Sequence, residues 1–401
     1  MRGLTSGSSH VKMSDMPRYA HVPNATLRAS TVVRAALSPR SVDSAEAAVT
    51  ALLGGRHAVL FASARGALTA AIRATVDHDD TVQVPAYTCV AVPNAVRSAG
   101  CNLGWIDVDG VGRPSCSGDQ AQALLAQDTF GFPCAPKPAE APVIRDASHR
   151  ADLIFEATEG ISVTVTSFEH SKWLSAGLGG VAVTADEALA QAMRDSRDAA
   201  QARRSSFRHA FVTLGALMSG RALFGGRRAL GMVLHRLTAA IDGDWMRGQS
   251  DLEVAGQGVS ANLLGRPTPV AAALMVAQLS VRAQVAAHRS RMVATYDAAL
   301  GAVRQPLPLV RYPLEVADRE RAHVVFRQAG WELGRPWFDG LVHPAAADPR
   351  DFGLDPTAFP AASKLAARVL NLPTHPLVSV GDAEDLARLA AASGARPLVA
   401  D

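Results

Sequence analysis

The 401-residue chain predicts an α/β protein. Its large domain is a doubly wound, mostly parallel sheet, and a small α+β domain follows at the C-terminus. Three observations carry this expectation. Short apolar runs alternate with alanine-rich helical stretches between residues 42 and 184, the rhythm of strand–helix units stacked into one sheet. Residues able to do chemistry fall just after the apolar runs, on the carboxyl edge where such sheets bind ligands. A helical pattern over residues 269–299 then leads into a last block with strand and helix elements of its own.

Taken in order, residues 1–40 are rich in Ser, Arg and Pro without periodicity and predict a mobile arm. The large domain is expected over residues 41–300 and the small one over 301–401. An alanine-rich helix at 42–53 stops at Gly54-Gly55, a favourable C-terminal signal. Strand 57–61 leads through Ser63-Ala-Arg-Gly-Ala-Leu68 into a helix ending near residue 76. Strand 81–84, helix 90–98, strand 102–108 and a helix at 118–125 follow. Strands 143–145 and 161–168 precede an acidic turn and a lysine turn, and strand 180–184 returns from the latter. Residues 186–240 read as helical. Within them, 205–237 mix Arg with Phe, Leu and Met, which fits a helix hairpin packed on the large domain or a second subunit. A helix lying weakly on an anionic membrane surface is the other option.

Composition narrows the function classes. Hydrophobic residues make up 48% and charged residues 19%, which excludes a disordered chain. Forty basic against 37 acidic side chains leave +3, too little for nucleic-acid binding by bulk electrostatics. Cys89, Cys101, Cys116 and Cys134 lack paired spacing, so free thiols in a reducing cytoplasm are expected and no metal site is. Residues 1–10 have no apolar core of a signal peptide, and no apolar run is long enough to span a bilayer.

Lysine is scarce here, at positions 12, 137, 172 and 364. Lys172 stands in Ser167-Phe-Glu-His-Ser-Lys172 ahead of Gly177, Gly179 and Gly180. An amine that attacks a carbonyl belongs on such a short, fixed turn. Upstream, Val143-Ile-Arg-Asp146-Ala-Ser-His149 ends a strand in a carboxylate and an imidazole. The pair suggests a lysine Schiff base with pyridoxal 5'-phosphate, its ring nitrogen held by Asp146.

The ordered blocks of this chain resemble the DegT-type sugar aminotransferases, pyridoxal-phosphate enzymes of fold type I. The resemblance runs from about residue 41 to 401. Its blocks are Ser63-Ala-Arg-Gly-Ala-Leu68; Val84-Pro-Ala-Tyr-Thr-Cys89 with Ala99-Gly100 and Asp107-Val-Asp109; Phe130-Gly-Phe-Pro133; Asp146-Ala-Ser-His149; Ser167 to Lys172 with Gly179-Gly180; and Leu370-Asn-Leu-Pro373. It implies that Lys172 carries the cofactor and moves the proton, that Asp146 pairs with the ring nitrogen, and that His149 lies near the ring oxygen. Ser167 and the amides of Ala64 and Arg65 would hold the phosphate at a helix start. Ala64-Arg65 stands where the family has Gly-Thr, so Arg65 would reach either the phosphate or an acidic substrate group. Cys89 occupies the ring-stacking position, with Tyr87 as the alternative. Arg266 aligns with a family arginine that crosses a dimer interface to the partner's cofactor. Leu264 replaces that segment's asparagine, which leaves Asn262 as a substitute or the contact absent.

The resemblance implies a cytoplasmic, homodimeric aminotransferase. Its amino donor would be glutamate or glutamine, and its acceptor a keto group, foremost on a nucleotide-linked sugar of polysaccharide or secondary-metabolite biosynthesis. A non-sugar keto or aldehyde acceptor is an alternative, as is a non-catalytic regulatory protein on the same fold. Nothing in the sequence names the acceptor, its nucleotide or the position aminated.

Overall fold

The computed structural model describes residues 17–114, 121–134, 141–200, 204–242 and 248–399. Residues 1–16 of the expected arm, Cys116 and the first three residues of the helix expected at 118–125 lie outside the described residues.

The chain opens with β1 (Arg18–Tyr19), α1 (Ala29–Leu37) and α2 (Val42–Ala51). Then come β2 (His57–Phe61), α3 (Ala64–Thr75), β3 (Thr81–Pro85), β4 (Thr88–Cys89), α4 (Ala91–Ala99) and β5 (Asn102–Ile106). The strands β6 (Ala123–Gln127), β7 (Val143–Asp146), β8 (Ile161–Ser167) and β9 (Gly180–Thr184) complete the large sheet. Its order is β2-β9-β8-β7-β6-β3-β5. Neighbours from β8 through β5 are parallel, whereas β9 runs antiparallel to both β8 and β2. Strands β6, β7 and β9 are buried throughout, as a sheet covered on both faces requires. On one face Val59, Phe61, Val82, Val84, Leu125 and Val163 pack under α3 and α4. On the other, Leu60, Val181 and Val183 join a core that runs without a break to Leu398.

Four expectations are corrected. Residues 123–125, read as the end of a helix, lie in β6. Alanine and leucine there favour a helix in isolation, but β6 pairs with β3 on one side and β7 on the other, and that pairing outweighs local propensity. Residues 17–40, read as a mobile arm, are built into the fold. Arg18 and Ala20 donate backbone hydrogen bonds to the carbonyls of Gly330 and Glu332, and α1 buries Val32 and Ala35. The single helix expected over 269–299 is two, Pro269–Ser280 and Arg282–Leu300, meeting at 60°. The first is almost wholly buried and packs against α1 and α2, while the second is half polar and packs on elements of the last hundred residues. The strand expected to reach residue 108 ends at Ile106, where Asp107 caps a following turn and binds the amides of Ala361 and Ala362.

After β9 come α5 (Glu187–Asp198), α6 (Ser206–Phe224) and α7 (Arg228–Ile241). Helices α6 and α7 form a hairpin with close approaches at two glycines: a Cβ on Gly215 would meet Thr238, and one on Gly231 would meet Leu223. This leaves Leu230, Val233, Leu237 and Ile241 of α7 facing outward. Beyond them, β10 (Arg311–Glu315) is the middle strand of a small antiparallel sheet. Its companions appear after β11 (Trp331–Glu332) and β12 (Val342–His343), as β13 (Val369–Pro373) and β14 (Arg396–Pro397). No single helix among the described residues is long and apolar enough to cross a membrane.

The lysine turn is anchored to this second half by Trp173, which is fully buried and donates its indole N–H to the Pro308 carbonyl at 2.7 Å. Trp173→Ala removes the largest fully buried side chain and leaves a carbonyl without its donor. The expected loss is about 3–5 kcal/mol, measured as the shift of the urea unfolding midpoint.

Candidate functional site

The carboxyl ends of β2, β7 and β8, the start of β9 and the first turn of α3 meet at one edge of the sheet. Gly180 is required there: a Cβ would lie 2.5 Å from the Ala64 nitrogen, so only glycine lets β9 pass beside the helix start. Ser63 caps α3 by accepting from the Gly66 amide and donates its own hydroxyl to the Leu263 carbonyl. The amides of Ala64 and Arg65, in the first helical turn, have no acceptor within the helix. At this edge lies a cavity of about 270 Å³ lined by Asp146, His149, Ser167, Lys172 and Trp337 among others.

Lys172 is held by its backbone. Its N–H donates to the Glu169 carbonyl at 3.0 Å, and the turn closes with Ala176 N–H donating to Phe168 at 2.8 Å. The Lys172 Nζ lies 4.7 Å from the centre of the Trp337 ring. Asp146 is 7% exposed. It accepts from the Ser148 amide at 2.9 Å and forms no ion pair among the described residues. Burial raises its pKa, with Ser148 and Lys172 pulling the other way. A buried, cavity-facing carboxylate of this kind fits a ligand that brings its own cationic N–H.

His149 packs 4.4 Å from Trp337. Its Nδ1 accepts from the Phe130 amide at 3.0 Å, so the neutral ring carries its proton on Nε2. Burial, then Lys172, push its pKa well below the ordinary value. The imidazole is thus a neutral N–H donor. Ser167 accepts from the Glu169 amide at 3.3 Å, which leaves its hydroxyl proton for the cavity. Glu169 stays ionised: against the upward pull of burial, His170 at 3.0 Å, with Lys172 and Arg65, holds it far below the usual carboxylate range.

The remaining expected site residues divide. Ala64, Arg65 and Cys89 line the cavity. The Arg65 guanidinium, however, is committed to Glu253 at 3.1 Å and to the Gly248 carbonyl, so it is no free phosphate cation. Burial raises the pKa of Cys89, which receives a weak contact from Gln249 at 3.8 Å. Tyr87 does not line the cavity. The chain bends at residues 86–87, so the same-side rule for alternate residues of an extended strand fails. The Tyr87 ring packs edge-on against Phe338 and its hydroxyl donates to the Phe338 carbonyl. Asn262 lies outside this cavity, lining a smaller one beside Arg65 and Glu253. Arg266 is also outside it, exposed and bound to Asp198 and Asp43 at 2.6 and 2.9 Å.

Trp337, Arg311, Gln127 and Gln249 are among the cavity residues that the sequence does not single out. Trp337 and Arg311 come from the last hundred residues, about 140–165 positions after Lys172 by the numbering, a separation no local pattern bridges. A Trp-Phe pair inside the glycine- and proline-bounded Gly334-Arg-Pro-Trp-Phe-Asp-Gly340 was the one available signal. Gln127 lies just past the stretch 118–125 that reads as a helix, whereas in the fold it ends β6. Gln249 follows a stretch without periodicity.

Residues 27–115 match the model of the DegT/DnrJ/EryC1/StrS aminotransferase family. No curated protein matches the sequence. Among solved structures, DesI, crystallised in the presence of its TDP-sugar product, is 22% identical over 94% of this chain and 92% of that one, with a TM-score of 0.61. PseC of Helicobacter pylori, an aminotransferase of pseudoaminic acid biosynthesis, is 14% identical over 94% and 99%, with a TM-score of 0.66. DesV of S. venezuelae is 18% identical over 93% and 98%, with a TM-score of 0.64. The resemblance to DegT-type sugar aminotransferases and the fold type I architecture read from the sequence are borne out.

A buried histidine outside the cavity predicts a pH response. Buried His209 in α6 contacts the Ala176 carbonyl at 2.8 Å, and burial lowers its pKa from 6.5 to about 4. Between those values the unfolded chain binds a proton that the folded one refuses, so stability falls as pH drops from 6.5 toward 4. His209→Gln is expected to remove up to roughly 3 kcal/mol of that loss between pH 6.5 and 4, read from urea midpoints across this range.

Proposed function

We propose that the chain is a pyridoxal-phosphate-dependent aminotransferase, passing an amino group from glutamate or glutamine to a keto group on a nucleotide-linked sugar. The observation that carries this is the convergence on one cavity of Lys172, an unpaired buried carboxylate at Asp146 and the open start of α3. The family match over residues 27–115 and the sugar aminotransferases among the similar structures support it.

The residues present fit the cofactor. Asp146 would accept the ring N–H, which offsets the burial of its charge. The hydroxyl of Ser167 and the amides of Ala64 and Arg65 would hold the phosphate, where free N–H groups and the helix dipole both favour an anion. His149 would donate Nε2–H to the ring oxygen. The cofactor, when bound, supplies an aldehyde for the amine and a ring that stores the electron pair left by a departing proton. Lys172 would take up and return that proton at its Nζ, which the Trp337 face steers. Glu169, adjoining the lysine, keeps a fixed negative charge beside it.

A homodimer belongs to the same proposal. The outward row Leu230, Val233, Leu237 and Ile241 is an apolar face that a second copy would cover. Light scattering is expected to give twice the 42.0 kDa of the chain. A second reading has its own support: residues 199–241 contain seven arginines and no acid, which fits an anionic membrane surface. A monomer that co-sediments with anionic liposomes would favour that reading over the dimer.

Added pyridoxal phosphate is expected to give the purified protein an absorbance band near the visible edge that shifts with glutamate. Lys172→Ala should hold the cofactor loosely and transaminate nothing. Asp146→Asn should slow the half-reaction by roughly a hundredfold, equal to about 3 kcal/mol. A colourless protein, or a Lys172→Ala variant as active as the parent, overturns the proposal.

A further inference from the structure

Two imidazoles reach the cavity around Lys172 from distant parts of the chain, His149 from the turn after β7 and His343 from β12. They are protonated on opposite nitrogens. His149 gives its Nδ1 lone pair to the Phe130 amide and keeps its proton on Nε2. His343 has its Nδ1 2.6 Å from the Asp339 carboxylate. The Asp339 amide also points at this nitrogen, but from 3.4 Å. Without a proton on Nδ1, two lone pairs would face each other at 2.6 Å, so the short contact decides the tautomer. Nε2 of His343 is left with a lone pair and no hydrogen bond among the described residues.

The pair is firmly built. Against the upward pull of burial, His343 and the Ala345 amide at 2.8 Å hold Asp339 below the usual carboxylate range, so it stays ionised. β12 runs parallel to β4 with His343 beside Cys89, and the Val90 amide donates to the His343 carbonyl at 2.9 Å. Just before Asp339, Phe338 takes a left-handed φ of 64°, a strained conformation for a bulky residue. Two remote contacts hold it there. The Tyr87 hydroxyl donates to the Phe338 carbonyl at 3.2 Å, and the Trp337 amide donates to Asn371 Oδ1 at 2.6 Å. His170 also lines the cavity, with Nδ1 3.0 Å from Glu169. It makes no hydrogen bond there, so no carboxylate aligns its ring.

A carbonyl that condenses with an amine needs protons moved from nitrogen to oxygen. The C–N bond forms as the π pair of the C=O bond moves to oxygen. The C–O bond then breaks as the nitrogen lone pair closes a C=N bond. Nitrogen loses two protons in all, and oxygen leaves with both as water. A neutral base can take each proton from nitrogen, hand it to oxygen and end unchanged. Where Lys172 is itself the amine, it cannot also be that base. His149 has spent its lone pair on Phe130. His343 has a free one, and Asp339 stabilises the imidazolium that forms in between.

We propose that His343 is a second catalytic residue of this site, its Nε2 carrying protons from nitrogen to oxygen as water forms, and that Asp339 positions it. The inference rests on the reading that Lys172 is the reacting amine.

The test follows the capture of an aldehyde by Lys172, which requires no knowledge of the acceptor. Apoprotein is mixed rapidly with pyridoxal phosphate, and growth of the absorbance band gives the rate of C=N formation. Equilibrium dialysis gives the affinity separately. His343→Ala and His343→Gln are expected to slow the growth about a hundredfold. Their affinities should stay close to the parent's, because a proton carrier changes the rate and not the equilibrium. Added imidazole should restore the His343→Ala rate in proportion to its concentration. Asp339→Asn should slow the growth roughly tenfold, and Asp339→Glu should recover part of that loss. Parent-like rates in both His343 variants, slowing that imidazole does not relieve, or an affinity loss as large as the rate loss would each overturn the inference. A parent protein that forms no band sinks the aminotransferase reading and this inference with it. A normal band that grows at the parent rate in the His343 variants counts against this inference alone.

Discussion

The structure around the site depends on how one turn is clamped. Residues 168–179 form neither helix nor strand, so their backbone groups need partners from elsewhere. The N-terminal segment supplies some: the Asn24 amide donates to the His170 carbonyl at 2.7 Å, and its side chain accepts from the Ser175 hydroxyl. The second half of the chain supplies others, through Trp173 to Pro308 and Arg289 to the Trp173 carbonyl. Lys172 is thereby held between three parts of the chain that are remote in sequence. The order seen in residues 17–40 follows from the same demand.

Charge is distributed around the turn with a consistent logic. Carboxylates near Lys172 are either paired, as Glu169 is with His170, or left for a ligand, as Asp146 is. Cations follow the same division: Arg65 is tied to Glu253 and Arg266 to Asp198, whereas Arg311 has no hydrogen-bond or ion-pair partner among the described residues. Unpaired buried charge is costly. Its presence at Asp146 and Arg311, which line one cavity, marks where a ligand of complementary charge would stabilise the fold as well as bind.

Much of this was legible from the sequence where local rules operate. The strand–helix alternation follows from periodicity, and the strand ends at residues 61, 146, 167 and 180 follow with it to within one residue. Lys172, Asp146, His149, Ser167 and the start of α3 lie within a few residues of those ends, so reading the sheet places them together. Errors arose where a local rule lost to a longer-range one. β6 has helix-forming residues but is trapped between two strands. Tyr87 is two residues from Cys89 but the bend between β3 and β4 turns it into the core.

What the sequence determined by itself is most of the sheet and the placing of the lysine turn at its carboxyl edge, because each is encoded in patterns a few residues to a few tens of residues long. Tertiary structure alone decided the second wall of the site. Trp337, Arg311 and His343 share a cavity with Lys172 because the buried core is continuous from the large sheet to the small one. Packing brings such residues together through contacts that have no period in the chain, and only the folded structure displays which side chains are then left without partners.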